Sequence, residues 1–294
     1  MSPDPSDRRS VDVVPTSGSK RIPKVFPGIR ALIAKFLRGN VGTQTVLILA
    51  IIIAWDAAVR VFGIPSYLVP SPWTVAVVLV QDYQYLLLHS WVTLVEICVG
   101  FLGAVAIGLP IAVLIVYSPL MERLIFPLLV ASQSIPKVAI APLLIFWAGI
   151  GLLPKALVAL LISFFPIVVD TVIGLRSVEI EMLHLAKSMG ASDAKTFWKV
   201  RLPTAMPYIF AGLKVGVTLA VVGAIVAEFI QADAGLGYAL LQASASMNAA
   251  MSFAVIIVLS VIGIALFTIV GMIGDRLTYW HSSHREGQIL AAGA

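Results

Sequence analysis

Charged side chains are scarce in this 294-residue chain: Asp, Glu, Lys and Arg make up 12% of it, whereas 60% of the residues are hydrophobic and the mean hydropathy is +1.00. This composition excludes an ordinary soluble domain. Several apolar runs exceed the roughly 20 residues that a helix needs to cross a bilayer. The sequence therefore predicts an all-α polytopic membrane protein embedded in the lipid bilayer.

Cysteine and the usual catalytic motifs are also nearly absent. The single Cys98 excludes a disulfide framework or a cysteine-based zinc site within one chain. The four histidines are scattered, and no phosphate-binding loop, nucleophile elbow or His-Glu-x-x-His motif occurs. We therefore expect no catalytic residues, no metal site and no cofactor in this chain.

The sequence instead contains six apolar stretches with polar flanks. The predicted spans are residues 43–62, 91–117, 124–148, 156–175, 205–230 and 252–274. The third contains Pro127, Pro136 and Pro142, so it should be kinked or interrupted. Residues 1–42 form a polar tail that we expect to be disordered, 43–274 the transmembrane domain and 275–294 a second tail.

The distribution of positive charge predicts the topology. The chain has a net charge of +5, and sixteen of its twenty Lys and Arg residues fall in the segments assigned to the cytoplasm. Positive charge accumulates on the cytoplasmic side of membrane proteins, so both termini are predicted to be cytoplasmic. Only Lys155 is placed in an outer loop. Because this rule accounts for the basic residues, they do not indicate nucleic-acid binding.

Residues 176–204 are a polar island with a helix-turn-helix pattern. Apolar residues recur at helical spacing from 178 to 189. Gly190 can end this helix in the left-handed conformation, Ser192 can cap the next helix, and Pro203 is expected to stop or redirect it. Two helices this short need a partner surface. A DNA-binding module fits the pattern, but a loop tethered to spans at both ends cannot readily lie in a major groove.

This stretch resembles the cytoplasmic coupling loop in permease subunits of binding-protein-dependent ABC importers. Their pattern is Glu-Ala-Ala, three residues, Gly, nine residues, a hydrophobic residue, one residue and Leu-Pro. The positions that fit its spacing are Gly190, Val200, Leu202 and Pro203. The triplet falls on residues 184–186, His-Leu-Ala, so only its last member matches, and Glu181 is a candidate substitute for the missing acid.

Other segments resemble the nitrate, sulfonate and taurine branch of these permeases. They are Pro-Ser-Pro at 70–72, residues 134–151, Phe-Phe-Pro at 164–166, and Glu228 with its neighbours. Asp170 stands where we expect an Asn in that branch. Near the outer end of the fifth helix, the position of Glu228 is expected to make a structural or gating contact.

The resemblance implies the type I permease fold of ABC importers, with about six helices in the plasma (inner) membrane. The implied partners are a second permease copy, two ATP-binding cassette subunits that hold ATP and Mg, and an external substrate-binding protein. The short helix of the loop would lie in a groove of the ATPase. The residues implied in this coupling are Glu181, Leu183, His184, Ala186, Gly190, Ala191, Leu202 and Pro203.

Ionisable residues within spans are costly and are therefore candidates for the translocation pathway. Lys137, beside the expected kink, suits an anionic solute such as a sulfonate, nitrate or carboxylate. The alternative is a salt bridge with Glu96 or Asp170 that merely neutralises a buried charge. The full set of pathway candidates is Pro136, Lys137, Pro142, Asp170 and Glu228.

Two other functions remain open at the level of sequence. An ion-coupled secondary transporter would use Glu96, Lys137 and Asp170 as an ion relay and would need no ATPase. A membrane scaffold or sensor would use the loop to dock a regulator. The residues do not identify the solute, and the candidates include alkanesulfonates, taurine, nitrate, bicarbonate, aromatic carboxylates and vitamin precursors.

Overall fold

The computed structural model describes residues 40–231 and 233–279, and the regular elements within these ranges are all helices. Most of the tail predicted at 1–42, and residues 280–294 of the second tail, lie outside the described residues. The chain divides after Ala50 into two compact units. The first contains the beginning of the first helix, and all later elements belong to the second.

The helices follow one another with short connections. They are α1 (Asn40–Val61), α2 (Pro72–Gln81), α3 (Tyr83–Tyr117), α4 (Pro119–Ser132), α5 (Lys137–Ala148), α6 (Leu152–Arg176), α7 (Ile180–Ser188), α8 (Asp193–Thr196), a π-helical turn (Phe197–Arg201), α9 (Leu202–Ile230), α10 (Leu236–Ala245) and α11 (Ala249–Leu277).

Among the described residues, four helices are long and apolar enough to cross a membrane: α3, α6, α9 with the turns before it, and α11. The pair α4 and α5 passes the same test together and is bent by 100°. With the 22-residue α1, these elements correspond to the six predicted stretches and confirm the predicted fold class. The bend lies at residues 133–136, whereas α4 and α5 continue through Pro127 and Pro142.

Helix α6 is the centre of the second unit and packs most extensively against α9 and α3. Ala159 of α6 lies at both crossings. A Cβ added to Gly223 of α9 would lie 2.6 Å from the Ala159 Cα, and one added to Gly100 of α3 would lie 2.6 Å from the Ala159 Cβ. Glycine at these two positions therefore permits the close helix packing that membrane proteins rely on.

The outer connections contain more helix than the sequence predicted. The Ser71 side chain accepts a hydrogen bond from the Thr74 N–H, and Pro72 occupies the first turn, so α2 begins at this Ser-Pro pair. Lys155 was placed in a loop, and this prediction is wrong. It lies in the first turn of α6 with only 4% of its surface exposed, because a buried carboxylate on α3 binds its ammonium group.

Candidate functional site

The coupling loop comprises residues 176–204, and its first half folds as predicted. Helix α7 ends at Ser188, and Gly190 follows with a φ of +75°, in the left-handed region. The Ser192 side chain accepts a hydrogen bond from the Lys195 N–H at 3.3 Å and caps α8. The short helix, the left-handed glycine and the serine cap are therefore confirmed.

Of the two predicted outcomes at Pro203, a stop or a change of direction, the stop is wrong, because the chain continues through Pro203 into α9 as a helix. A proline lacks an N–H, and its ring crowds the carbonyl four residues earlier. The wider π-helical turn Phe197–Arg201, directly before it, accommodates both effects. The Thr204 hydroxyl also donates to the Val200 carbonyl at 2.8 Å. The second half of the loop is thus continuous with a membrane span.

Charged and aromatic contacts attach the loop to the ends of two neighbouring helices. The Arg176 guanidinium forms an ion pair with Glu122 of α4 at 2.8 Å. The Arg201 guanidinium lies 5.3 Å from the centre of the Tyr117 ring, at the end of α3. The Phe197 ring packs edge-on against the same tyrosine. A displacement of the loop would therefore reach α3 and α4 as well as α9.

Helix α7 leaves an apolar face uncovered. Met182, Leu185 and Met189 share this face at helical spacing and are 49%, 60% and 79% exposed. Sequence reasoning missed Met182 and Met189. It predicted an apolar face through Ile180 and Leu183, of which Ile180 is 64% exposed and Leu183 is half-buried. The signal was present, since apolar residues occur on both sides of this short helix.

The predicted coupling residues differ in exposure. Those exposed are Glu181, His184 and Gly190, and those half-buried are Leu183, Ala186, Ala191, Leu202 and Pro203. Their contact with an ATPase stays a prediction.

The break between α4 and α5 places Lys137 as the first residue of α5, directly after Pro136. Its ammonium lies 5.7 Å from the centre of the Phe165 ring on α6. None of the ion pairs among the described residues includes Lys137. The predicted alternative of a salt bridge from Lys137 to Glu96 or Asp170 is therefore wrong. A half-buried ammonium at a helix N-terminus creates a positive potential at this break.

The remaining pathway candidates are not gathered into one cluster by side-chain bonds. Pro136 and Pro142 are exposed on either side of the start of α5. Asp170 is half-buried on α6 next to α9, where a Cβ added to Gly212 would lie 2.8 Å from the Asp170 Cβ. The role of these residues in a pathway stays a prediction.

At the end of the spans opposite the coupling loop, side chains from α3 and α9 cap the N-terminus of α10. The Gly235 N–H donates to His89 Nδ1 at 2.9 Å, and the Leu236 N–H donates to Thr93 Oγ1 at 2.7 Å. The Gly237 N–H donates to a carboxylate oxygen of Glu228. These are backbone donors that a helix start leaves without internal partners.

Glu228 is 1% exposed and also accepts a hydrogen bond from the Thr93 hydroxyl at 2.7 Å. Its position explains the Gly-Leu-Gly sequence at 235–237. Gly235 has a φ of +118°, and a Cβ added to Gly237 would lie 2.8 Å from the Glu228 Oε2. The carboxylate thus serves as a helix cap in this structure, and a part in gating stays a prediction.

A buried ion pair joins α3 to α6 at the same end. Lys155 Nζ donates to Glu96 Oε1 at 2.8 Å, and the two side chains are 5% and 2% exposed. The second oxygen of Glu96 has no hydrogen-bond partner. Within residues 40–231 and 233–279, no group of three His, Cys, Asp or Glu residues could hold a metal ion.

Known proteins are similar to this chain over most of its length. Residues 104–279 match the family described as "Binding-protein-dependent transport system inner membrane component". A probable ABC transporter permease protein of Haemophilus influenzae is 36% identical over 217 residues, covering 74% of this chain and 89% of the relative. The riboflavin transport system permease protein RibX of Chloroflexus aurantiacus is 34% identical over 264 residues, covering 89% of this chain and 98% of the relative.

A third relative and one solved structure complete the comparison. The taurine transport system permease protein TauC of Escherichia coli is 31% identical over 193 residues, covering 66% of this chain and 70% of the relative. The inward-facing MetNI methionine ABC transporter has a chain with a TM-score of 0.57 and 23% identity, covering 68% of this chain and 97% of that one. At this identity, the structural likeness concerns the fold alone.

Proposed function

The chain belongs to the binding-protein-dependent transport system inner membrane family, the multi-pass permease subunits of ABC importers, and we propose that it carries a small anionic solute in steps driven by a separate ATPase. Membership of this family was predicted from the coupling loop and the sulfonate-type segments and is confirmed. The observation that carries the anionic solute class is Lys137, whose ammonium lies at the break in a span and forms no ion pair among the described residues.

Three features of the break support an anionic solute. The bend of 100° interrupts the span and leaves the N-terminus of α5 without a preceding helical turn. The free N–H groups of such an N-terminus carry partial positive charge. Lys137 adds a full charge there with no carboxylate within ion-pair distance among the described residues. Broken helices of transporters point such N-termini at the anionic groups of their solutes.

The assembly that we propose contains a second permease copy, two ATPase subunits that hold ATP and Mg, and an external binding protein that delivers the solute. Both termini and the coupling loop lie on the cytoplasmic side. The contact with the ATPase is formed by the exposed face of α7 and the adjoining residues predicted from the sequence. It comprises Met182, Leu185, Met189, Glu181, Leu183, His184, Ala186, Gly190 and Ala191.

In this mechanism, closure of the ATPase pair displaces α7 as a rigid body. The second half of the loop is continuous with α9 and contacts Tyr117, and Arg176 at the start of the loop binds Glu122. The displacement therefore moves several spans together. ATP binding and hydrolysis then bias two states of the pathway, each open to one side of the membrane. Leu202 and Pro203 lie where the loop passes into the span.

A second solute class follows from the riboflavin relative, which this chain matches over 89% of its length. A neutral heterocycle of the vitamin-precursor type would not need an unpaired ammonium in the pathway. It would instead pack against apolar and aromatic side chains, and Lys137 would contribute little to its passage.

Uptake into proteoliposomes that contain the chain, its ATPase and its binding protein separates the two classes. For an anionic solute such as taurine or an alkanesulfonate, Lys137→Met should lower uptake by about tenfold, since one charge-assisted contact is lost. Lys137→Arg, which retains the charge, should keep most of the uptake. Uptake of riboflavin that is equal in both variants, with no uptake of any anion, would contradict the anionic solute.

A further inference from the structure

A small cleft lies between α7 and the second half of the coupling loop, on the side of α7 away from Met182 and Leu185. It has a volume of about 230 Å³, and its polar lining comes from Tyr117, His184, Lys187, Asp193, Thr196 and Arg201. The apolar side chains of Ile180 and Leu183 complete it. The cleft is large enough for a small ion or a headgroup and too small for a peptide.

Two cations, Lys187 and Arg201, line this cleft. The ion pairs among the described residues are Arg60–Asp56, Lys155–Glu96 and Arg176–Glu122, and none involves Lys187 or Arg201. Arg201 stacks against the Tyr117 ring at 5.3 Å, an arrangement that leaves guanidinium N–H donors free at its edge. An anion that entered the cleft would therefore meet two cations from different parts of the loop.

Thr196 supplies an independent sign of a missing ligand. It is the last residue of α8, its side chain is 7% exposed, and its hydroxyl is buried without a hydrogen-bond partner. Leaving such a group unpaired is costly, and most buried polar groups in proteins do have a partner. Since Thr196 also lines the cleft, a residue of the cleft wall carries a hydroxyl that has no hydrogen-bond partner among the described residues.

The Asp193 carboxylate restricts the class of anion that can bind in the cleft. Its carboxylate would repel a fully ionised anion such as sulfate or a phosphodiester. A phosphate monoester or inorganic phosphate that retains one proton carries an O–H group, which can donate to the Asp193 carboxylate while the other oxygens accept from Lys187, Arg201 and Thr196.

We propose that this cleft is a binding site for a phosphate group that retains one O–H, supplied by inorganic phosphate or by a monoester headgroup such as that of phosphatidic acid. The bound anion would join Lys187 on α7 to Arg201 on the π-helical turn. It would thereby hold the coupling helix at a fixed angle to α9 and make the loop sensitive to phosphate.

Calorimetric titration of the full-length chain in detergent, with inorganic phosphate and separately with sulfate, tests the site. The expected result is saturable binding of one phosphate per chain and at least about tenfold weaker binding of sulfate. Lys187→Gln should raise the Kd for phosphate by about tenfold, and Thr196→Val by a few-fold. Lys195→Gln, an exposed change in the same loop outside the cleft, should leave the Kd unchanged.

The Asp193→Asn variant tests the discrimination directly, since an amide no longer repels sulfate and the preference for phosphate should shrink. No saturable phosphate binding up to roughly 10 mM would overturn the proposal. So would binding that neither Lys187→Gln nor Thr196→Val changes. Should Thr196→Val fail to fold, the exposed Lys187 variant still decides. The titration needs no ATPase, so its failure is independent of the importer function.

Nanodiscs distinguish the two sources of the phosphate group. If phosphatidic acid, but not phosphatidylglycerol, blocks the binding of inorganic phosphate, the headgroup occupies the cleft. If phosphate binds equally in both lipids, the free ion is the ligand. Equal competition by phosphatidylglycerol, a diester whose phosphate carries no O–H, would contradict the role of Asp193.

Discussion

The two ends of the spans use their polar and apolar groups in opposite ways. Opposite the coupling loop, Glu96, Lys155 and Glu228 are buried, and each bonds to a group on another helix. At the loop end, Met182 and Leu185 face solvent, and the loop is held by contacts at its base. At the first end, the polar groups are bonded to one another across helices. At the second end, an apolar surface is exposed.

This difference distinguishes charged side chains that hold helices together from charged side chains that are available to bind a solute. Ionisable residues within a membrane are functional candidates by default, and Glu96 and Glu228 were both considered on that ground. Their bonds show instead that they join α3 to α6 and cap α10. Lys137 has no such carboxylate partner among the described residues, and for this reason it remains the strongest candidate to meet a solute.

The largest effect is expected from breaking the ion pair at the end opposite the coupling loop. Lys155→Met leaves the Glu96 carboxylate buried without its cation, which should lower the free energy of unfolding by about 3 kcal/mol. Thermal unfolding in detergent measures this loss of stability. The double variant Glu96→Gln with Lys155→Met should recover more than half of the loss. A single variant as stable as the wild type would mean that this end is not held by the pair.

A smaller loss is expected from Glu228→Ala. The change removes the acceptor of the Gly237 N–H and one of two acceptors of the Thr93 hydroxyl, which also lies 3.2 Å from the His89 carbonyl oxygen. The loss should cost about 1–3 kcal/mol of unfolding free energy. Glu228→Gln retains one acceptor oxygen and should lose less than the alanine variant. The same unfolding assay compares them, and an equal loss in both variants would show that the carboxylate charge, rather than the capping bonds, matters.

Substitutions at the loop end should change the affinity for the ATPase and hardly change the free energy of unfolding. Leu185→Asp places a charge on the exposed face of α7 and should weaken binding of the ATPase by at least about tenfold, or about 1.4 kcal/mol. Lys195→Gln is the matched change elsewhere on the loop and should have no effect. Pull-down and biolayer interferometry measure the affinity. Unaltered binding by Leu185→Asp would remove this face from the contact.

The smallest effect is expected from replacing either of two glycines that both have a positive φ. Gly190 and Gly63 have φ values of +75° and +60°, and no atom lies within 4 Å of an added Cβ at either. Alanine at each position should therefore cost about 1 kcal/mol through backbone strain alone. Only Gly190→Ala should also lower ATP-driven uptake, because only Gly190 sets the direction of α7. Equal uptake by both variants would mean that the conformation of the turn at Gly190 does not affect coupling.

Much of the architecture could be predicted because it depends on local composition. Apolar runs determined the spans, three prolines indicated a break in the third, and Gly190 with Ser192 defined the turn of the loop. The bond between Glu96 and Lys155 joins positions 59 residues apart, and nothing in the local pattern of either residue reveals it. The continuation of the helix through Pro203 depends on the π-helical turn before it, which propensities do not encode.

ATP-driven uptake by the purified chain, reconstituted with its ATPase and binding protein, tests the importer function most directly. The solute should accumulate only when ATP is present, and Leu185→Asp should abolish accumulation while the protein remains folded. Transport by the chain alone down an ion gradient, unaffected by Leu185→Asp, would contradict the coupling role of the loop. It would make the ion-coupled pathway through Lys137 and Asp170 the better account.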